Sequence, residues 1–209
     1  MYHIGSSNDE QRLAEQIRRG DNTAMRVFCS LYVPHLKAVC ARYIVNQEDV
    51  RDVLQEILIS IITHIADFRY RGTGSLQAWS TRIAVNESLN FIRKNRHHEL
   101  ALLKQDTDDI VEEEDPPIED IPPEVIQQMV KQLPTGYRTV FNLYVFEDKS
   151  HQEIAQLLGI SVNTSTSQLH KAKNLLAQMI QTFHDNKQHP DERRMEKTIT
   201  AEDGRLHGI

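Results

Sequence analysis

Apolar residues recur at three- and four-residue intervals along most of the chain, with no sustained alternation, so the pattern predicts helices and no strands. The clearest run is Glu48–Phe68, "EDVRDVLQEILISIITHIADF". At about 100° per residue, Val53, Leu54, Ile57, Leu58, Ile61, Ile62 and Ile65 cover one half of the cylinder. Asp49, Asp52, Gln55 and Glu56 fall on the other half, in its first two turns. Upstream, "DEQRLAEQIRRGD" places Leu13 and Ile17 on one face and stops at Gly20. Asp21 is expected to cap a helix carrying Met25, Val27, Phe28 and Leu31 that ends before Pro34, with a third helix running to about Val45. Downstream, "RYRGTGS" (Arg69–Ser75) reads as a loop, and Ser75 is expected to cap a long helix, "LQAWSTRIAVNESLNFIRKNRHHEL".

The C-terminal part predicts short helices over Glu124–Leu133, Thr135–Phe146, Ser150–Leu158 and Val162–Phe183. Ser150 followed three residues later by Glu153 is a capping box. Gly159 suits the left-handed conformation that ends one helix, and Ser161 can cap the next. Helix, three-residue turn and helix make a helix-turn-helix. In its second helix, Val162, Leu169, Ala172, Leu176, Met179, Ile180 and Phe183 share the face expected to pack on the core. Asn163, Thr166, Ser167, His170, Lys171 and Asn174 share the other, and no acid lies anywhere in Val162–Phe183.

Charge divides the chain. The net charge is −6, yet residues 1–98 hold 13 Lys+Arg against 10 Asp+Glu, residues 99–124 hold 1 against 11, and residues 125–209 hold 10 against 9. The acidity therefore sits in one segment, which also carries two Pro-Pro pairs and no apolar period; such a segment resists helix and reads as a flexible linker. The resulting organisation is all-α: a helical domain at 1–103, an acidic linker at 104–122, a second helical domain at 123–184 with the helix-turn-helix, and a polar tail at 185–209. No N-terminal signal pattern and no apolar run of membrane-spanning length is present, so a cytoplasmic protein is expected. Cys29 and Cys40 lack ligand spacing and read as reduced, buried small side chains. No phosphate loop, nucleophile motif or His/carboxylate cluster with ligand spacing occurs, so neither catalysis, a metal, a cofactor nor a small-molecule substrate is expected.

The remaining chemistry is that of binding. A run of small polar residues, Asn163 followed by the hydroxyl-bearing Thr164, Ser165, Thr166 and Ser167, is a mediocre way to start a helix. It suits a helix entering a major groove, where short polar side chains meet base edges and Lys171 and Lys173 meet phosphates. Arg69, Tyr70, Arg71 and Gly72 read either as an ordinary exposed loop or as one whose aromatic and cationic groups suit holding an unstacked base. Arg93, Lys94, Arg96, His97 and His98 end a helix where cations are favoured, and adjacent His97 and His98 do not share a face for a metal.

Taken together, these segments resemble the extracytoplasmic-function group of bacterial RNA polymerase sigma factors over about residues 10–183. "DVRDVLQEIL" is similar to the family's polymerase-binding helix, and "RGTGSLQAWSTRIAVNESLNFIRKNRHH" to its promoter-melting and −10-reading segment. "LPTGYRTVFNLYVFEDKSHQEIAQLLGISVNTSTSQLHKAK" is similar to the −35-binding part. The resemblance implies core RNA polymerase and promoter DNA as partners, and an anti-sigma factor as one that family members often have. It implies polymerase docking by Asp49, Asp52, Gln55 and Glu56. It implies −10 contacts by Arg69, Tyr70, Arg71, Gly72, Trp79, Arg82, Asn86, Arg93, Lys94 and Arg96. It implies −35 contacts by Asn163, Thr164, Thr166, Ser167, Gln168, His170, Lys171 and Lys173. The loop between Phe68 and Trp79 is about two residues longer than in common members. Relatives often carry a basic residue at Thr166 and Gln168, and Gly at Asn163, so a different base preference is expected. Two other readings stay open on the residues alone: a dimeric helix-turn-helix regulator of duplex DNA, and a protein-interaction module.

Overall fold

The computed structural model describes residues 9–95 and 121–188. The linker expected at 104–122 therefore lies outside them save for its last two residues, as do Arg96, His97, His98 and the tail beyond 188. Among the described residues the chain is helical, without strands. The first domain holds α1 (Asp9–Arg18), α2 (Asn22–Tyr43), α3 (Gln47–His64), a 3₁₀ turn (Ile65–Asp67) and α4 (Ser75–Asn95). The second holds α5 (Pro123–Gln132), α6 (Thr135–Val145), α7 (His151–Leu158) and α8 (Val162–Gln188).

Asp21 caps α2 as its side chain predicts, its carboxylate accepting from the Thr23 and Ala24 backbone N–H groups at 2.7 and 3.3 Å. The break expected before Pro34 does not occur: α2 runs through it as one helix. A proline inside a helix costs about 3 kcal/mol. Tyr32, Leu36 and Val39 are all buried around it, and each such side chain returns about 1.5–3 kcal/mol, so burial wins. Val50, Val53, Ile57 and Ile61 of α3 and Ile65 of the 3₁₀ turn face the core, but Ile62, expected there, is 51% exposed, beside Ile59 at 58%. Cys40 is buried and Cys29 only half-buried; both are free thiols, and burial raises the pKa of each.

Val140, Leu143, Ile154 and Leu169 of the second domain join the core cluster of the first. A polar clasp accompanies them at the C-terminus of α2, where the last carbonyls of a helix have no partner of their own. The Arg138 guanidinium of α6 donates to the Tyr43 carbonyl at 3.2 and 3.3 Å, and Asn142 Nδ2 donates to the Arg42 carbonyl at 2.7 Å. The Arg42 side chain lies 3.4 Å from Glu147 and 4.6 Å above the Phe146 ring. The second domain thus caps a helix of the first. A second cluster, built on Leu133, Ala172, Leu176 and Ile180, holds α5 against α8.

Candidate nucleic-acid interface

On α3, Asp52, Gln55 and Glu56 are exposed and Asp49 is half-buried. Continuing the same outward row, Ile59 and Ile62 extend the acidic face by an apolar turn that the helical projection had assigned in part to the core. A surface of carboxylates ending in two bare isoleucines is suited to a partner with cations and an apolar rim.

The loop Arg69–Gly74 joins the 3₁₀ turn to α4. Arg69 donates to the Ala66 and Phe68 carbonyls at 2.7 and 3.1 Å, and Arg71 is exposed. Gly72 and Gly74 have φ of 120° and 88°, conformations that L side chains rarely adopt. Tyr70 is half-buried beside a hollow of about 380 Å³, lined by Arg18, Phe68, Arg69, Gln11 and Glu15. Trp79 is also half-buried, its ring 5.5 Å from that of Phe68 at 57°, so one edge is anchored and the other open. Ser75 does not cap α4 as expected: its hydroxyl accepts from the Arg71 N–H at 3.3 Å. The cap comes from Glu10, which accepts from the Gly74 and Leu76 N–H groups at 3.0 Å each.

Arg82, Asn86, Arg93 and Lys94 are exposed along α4. Arg82 and Asn86 line a cleft of about 1180 Å³ between the two domains, opposite Glu147 and Glu153. Arg93 donates to Asn90 at 3.0 Å and, across the cleft, to the Leu157 carbonyl of α7 at 3.4 Å. With the domains in contact, the second domain therefore faces this row of cations with carboxylates and a carbonyl.

The helix-turn-helix is formed as its sequence predicts. Ser150 Oγ accepts from the Glu153 N–H at 3.3 Å, and the Ser150 N–H donates back to Glu153 at 2.9 Å. These bonds, the backbone one foremost and the Lys149 ammonium after it, hold the Glu153 carboxyl down to about 2. Gly159 ends α7 with φ 66°, and Ser161 Oγ accepts from the Thr164 N–H at 3.0 Å. His151 of α7 stacks on Tyr144 at 5.0 Å and hydrogen-bonds the Ser165 hydroxyl at 2.9 Å, fixing the crossing of α7 over α8. On α8, Asn163, Thr166 and Lys173 are exposed, and Thr164, Ser167, His170 and Lys171 are half-buried. Gln168 departs from its expected role: it is 4% exposed and turned inward, its Nε2 without a hydrogen-bond partner, so it cannot touch a base in this arrangement. Val162, expected in the core, is 43% exposed.

No group of three or more metal-ligating side chains occurs among the described residues, and no helix there is long and apolar enough to cross a membrane.

Residues 29–98 match the family model for sigma-70 region 2, and residues 124–176 that for sigma-70 region 4. The chain is 25% identical to the RNA polymerase sigma-H factor of Pseudomonas aeruginosa, covering 84% of this chain and 96% of that one. It is 26% identical to the extracytoplasmic-function (ECF) RNA polymerase sigma-E factor of Haemophilus influenzae, covering 82% and 95%. Among solved structures it is similar to that of CnrH in complex with the cytosolic domain of CnrY, at 22% identity and a TM-score of 0.45, over 83% of this chain and 97% of the other.

Proposed function

The chain belongs to the extracytoplasmic-function group of sigma-70 factors, binding core RNA polymerase and directing it to promoters, and from that premise we propose which of its surfaces carries each task. The outer face of α3, Asp52, Gln55 and Glu56 with Asp49 at its edge, docks on the polymerase, and Ile59 and Ile62 extend the contact. The loop Arg69–Gly72 with Trp79 receives bases of the opened −10 strand. Arg82, Asn86, Arg93, Lys94 and Arg96 hold the flanking DNA. The exposed start of α8 reads the −35 element, through Asn163, Thr166 and His170 with Thr164 and Ser167 at its margins, while Lys171 and Lys173 meet phosphates. No catalytic step is assigned to these residues; bond formation belongs to the polymerase.

The observation that carries this division of labour is the formed helix-turn-helix on one domain combined with an acidic, isoleucine-ended face on the other. A dimeric regulator of duplex DNA needs the first and has no use for the second. The test is gel filtration with purified core polymerase. The wild-type chain should co-elute stoichiometrically. The Asp52→Lys/Glu56→Lys variant, whose changed side chains are exposed and leave the core intact, should elute alone with an unchanged helical spectrum and support no promoter-specific transcript. Co-elution of that variant, or its activity in reconstituted transcription, would remove the α3 assignment.

A further inference from the structure

α1 lies upstream of both matched segments, and its two ends carry opposite charges that grip the two ends of one loop. At its start, Glu10 is 5% exposed and spends both carboxylate oxygens on backbone: Oε1 on the Gly74 N–H and Oε2 on the Leu76 N–H, each at 3.0 Å. Tyr32 adds its hydroxyl to Oε1 at 3.4 Å, and burial together with the Glu10 charge pushes the Tyr32 pKa up to about 12. At its end, Arg18 reaches the carbonyls of Ile65, Ala66 and Phe68 at 3.3–3.5 Å. The chemistry is matched at each end: an acceptor on the free N–H groups that start α4, a donor on carbonyls of the 3₁₀ turn. The grips are eight residues apart, about 12 Å along a helix.

We propose that α1 is a strut that fixes the span and attitude of the Arg69–Thr73 loop for receiving unstacked −10 bases, with Glu10 and Arg18 as its positioning residues. This rests on the assignment of that loop to the opened strand. Gly74 supplies no side chain to cap α4, so without Glu10 the first turn of α4, and Trp79 one turn further, lose their fixed relation to the loop. The wall of the hollow beside Tyr70 is also α1: Gln11, Ala14, Glu15 and Arg18 line it. α1 packs on α2, α4 and the 3₁₀ turn rather than on the docking face of α3. Disturbing the strut should therefore impair strand capture while sparing polymerase affinity, a separation that a purely structural role does not produce.

The experiment uses holoenzyme assembled on purified core polymerase and a promoter carrying a fluorescent base analogue in the −10 segment. Glu10→Gln keeps the size of the side chain but turns an NH₂ toward a backbone N–H, and Arg18→Ala releases the other end without touching a buried charge. Each should slow opening of the duplex promoter about tenfold, the loss that accompanies removal of a charge-assisted hydrogen bond. Each should also alter the ranking of single-base −10 variants while core affinity stays near wild type; the thermal midpoint should fall by several degrees in Glu10→Gln, which leaves a backbone N–H unpaired, and stay near wild type in Arg18→Ala. Tyr70→Ala, run in parallel, tests the loop assignment itself. If Tyr70→Ala is impaired and both strut variants open the promoter normally, the strut is wrong and the loop assignment stands. If Tyr70→Ala is also normal, both fall. If Glu10→Gln loses core affinity in step with opening, Glu10 is a folding residue and the inference is overturned; should that variant fail to fold, Arg18→Ala decides by the same criteria.

Discussion

Arg42→Ala should loosen the contact between the two domains without disturbing either core. Arg42 sits at the end of α2, where its side chain is 26% exposed and that of Glu147 16%. A part-exposed ion pair at 3.4 Å is worth up to about 1 kcal/mol, and a guanidinium 4.6 Å above a ring about 0.5–1 kcal/mol. Removing both, about 0.5–2 kcal/mol together, raises the ratio of parted to docked molecules by roughly 2- to 30-fold. The Arg138 and Asn142 bonds to the α2 carbonyls remain, so docking persists in weakened form. Single-molecule energy transfer between dyes on the first turn of α2 and the C-terminal half of α8 reads the two populations directly. The wild type should show a dominant high-transfer state, and Arg42→Ala a larger low-transfer fraction. A double-mutant cycle with Glu147→Gln should show coupling of up to about 1 kcal/mol that fades in high salt. Parting also takes Glu147 and Glu153 away from Arg82 and Asn86 and releases Arg93 from the Leu157 carbonyl, so the variant should bind a short −10 single strand more tightly than wild type in the absence of polymerase. An unchanged transfer distribution together with zero coupling would refute the idea that this clasp biases the docked state.

On α8, Ser167→Ala or His170→Ala should change the preference among −35 variants, since a good base contact carries about 1–3 kcal/mol of discrimination. Lys171→Ala should weaken all variants about equally and lower the salt slope by about one unit or less; reconstituted transcription on a randomised −35 library at two salt concentrations separates the two outcomes. Ser150→Ala should cost the second domain about 1 kcal/mol in urea unfolding by opening the capping box. Because the Glu153 carboxyl is held near 2, well below its ordinary range, the box's charged form contributes fully above about pH 4.5, and its contribution is lost as pH falls toward 2. An acid titration of the α7 helical signal in which wild type and Ser150→Ala coincide would contradict this.

What the sequence made legible is what neighbouring residues decide among themselves. Asp21 before α2, the Ser150–Glu153 box and Gly159 after α7 act over four residues or fewer, and each is found in its expected place. The misses arise where a distant partner intervenes. Pro34 reads as a helix break until the burial of Tyr32, Leu36 and Val39 is known. Ile62 reads as core until α3 is seen to leave that edge uncovered, and Gln168 reads as groove-facing until its side chain is found inside. The hydroxyl run that suggested close approach to DNA has two causes: Asn163 and Thr166 are exposed, whereas Ser165 is buried against His151 because two helices cross there.

Glu10 shows what kind of trace such a partner leaves. In a helical wheel of α1 it is one more acid in a first turn, where acids are ordinary. The informative residue is Gly74, 64 positions later. A long helix entered through Gly-Thr-Gly has no side chain at its N-cap to satisfy its first N–H groups, and the Ser75 hydroxyl accepts from Arg71 instead. Those donors cannot be buried unpaired without a cost of about 1–3 kcal/mol each, so an acceptor must arrive from elsewhere in the fold. The same reasoning applies to the last carbonyls of α2, where Ile44 follows without a cap side chain and Arg138 and Asn142 of the other domain supply the donors. At both places an uncapped helix end marks the point where a remote segment fixes the geometry: α1 at the loop assigned to the opened strand, and the second domain at the C-terminus of α2. The two differ in permanence. Glu10 and the loop it holds belong to one domain and share one core, so that cap stays when the domains part. The α2 carbonyls can exchange Arg138 and Asn142 for water, so the second cap is the one that can open when the protein engages two separated promoter elements.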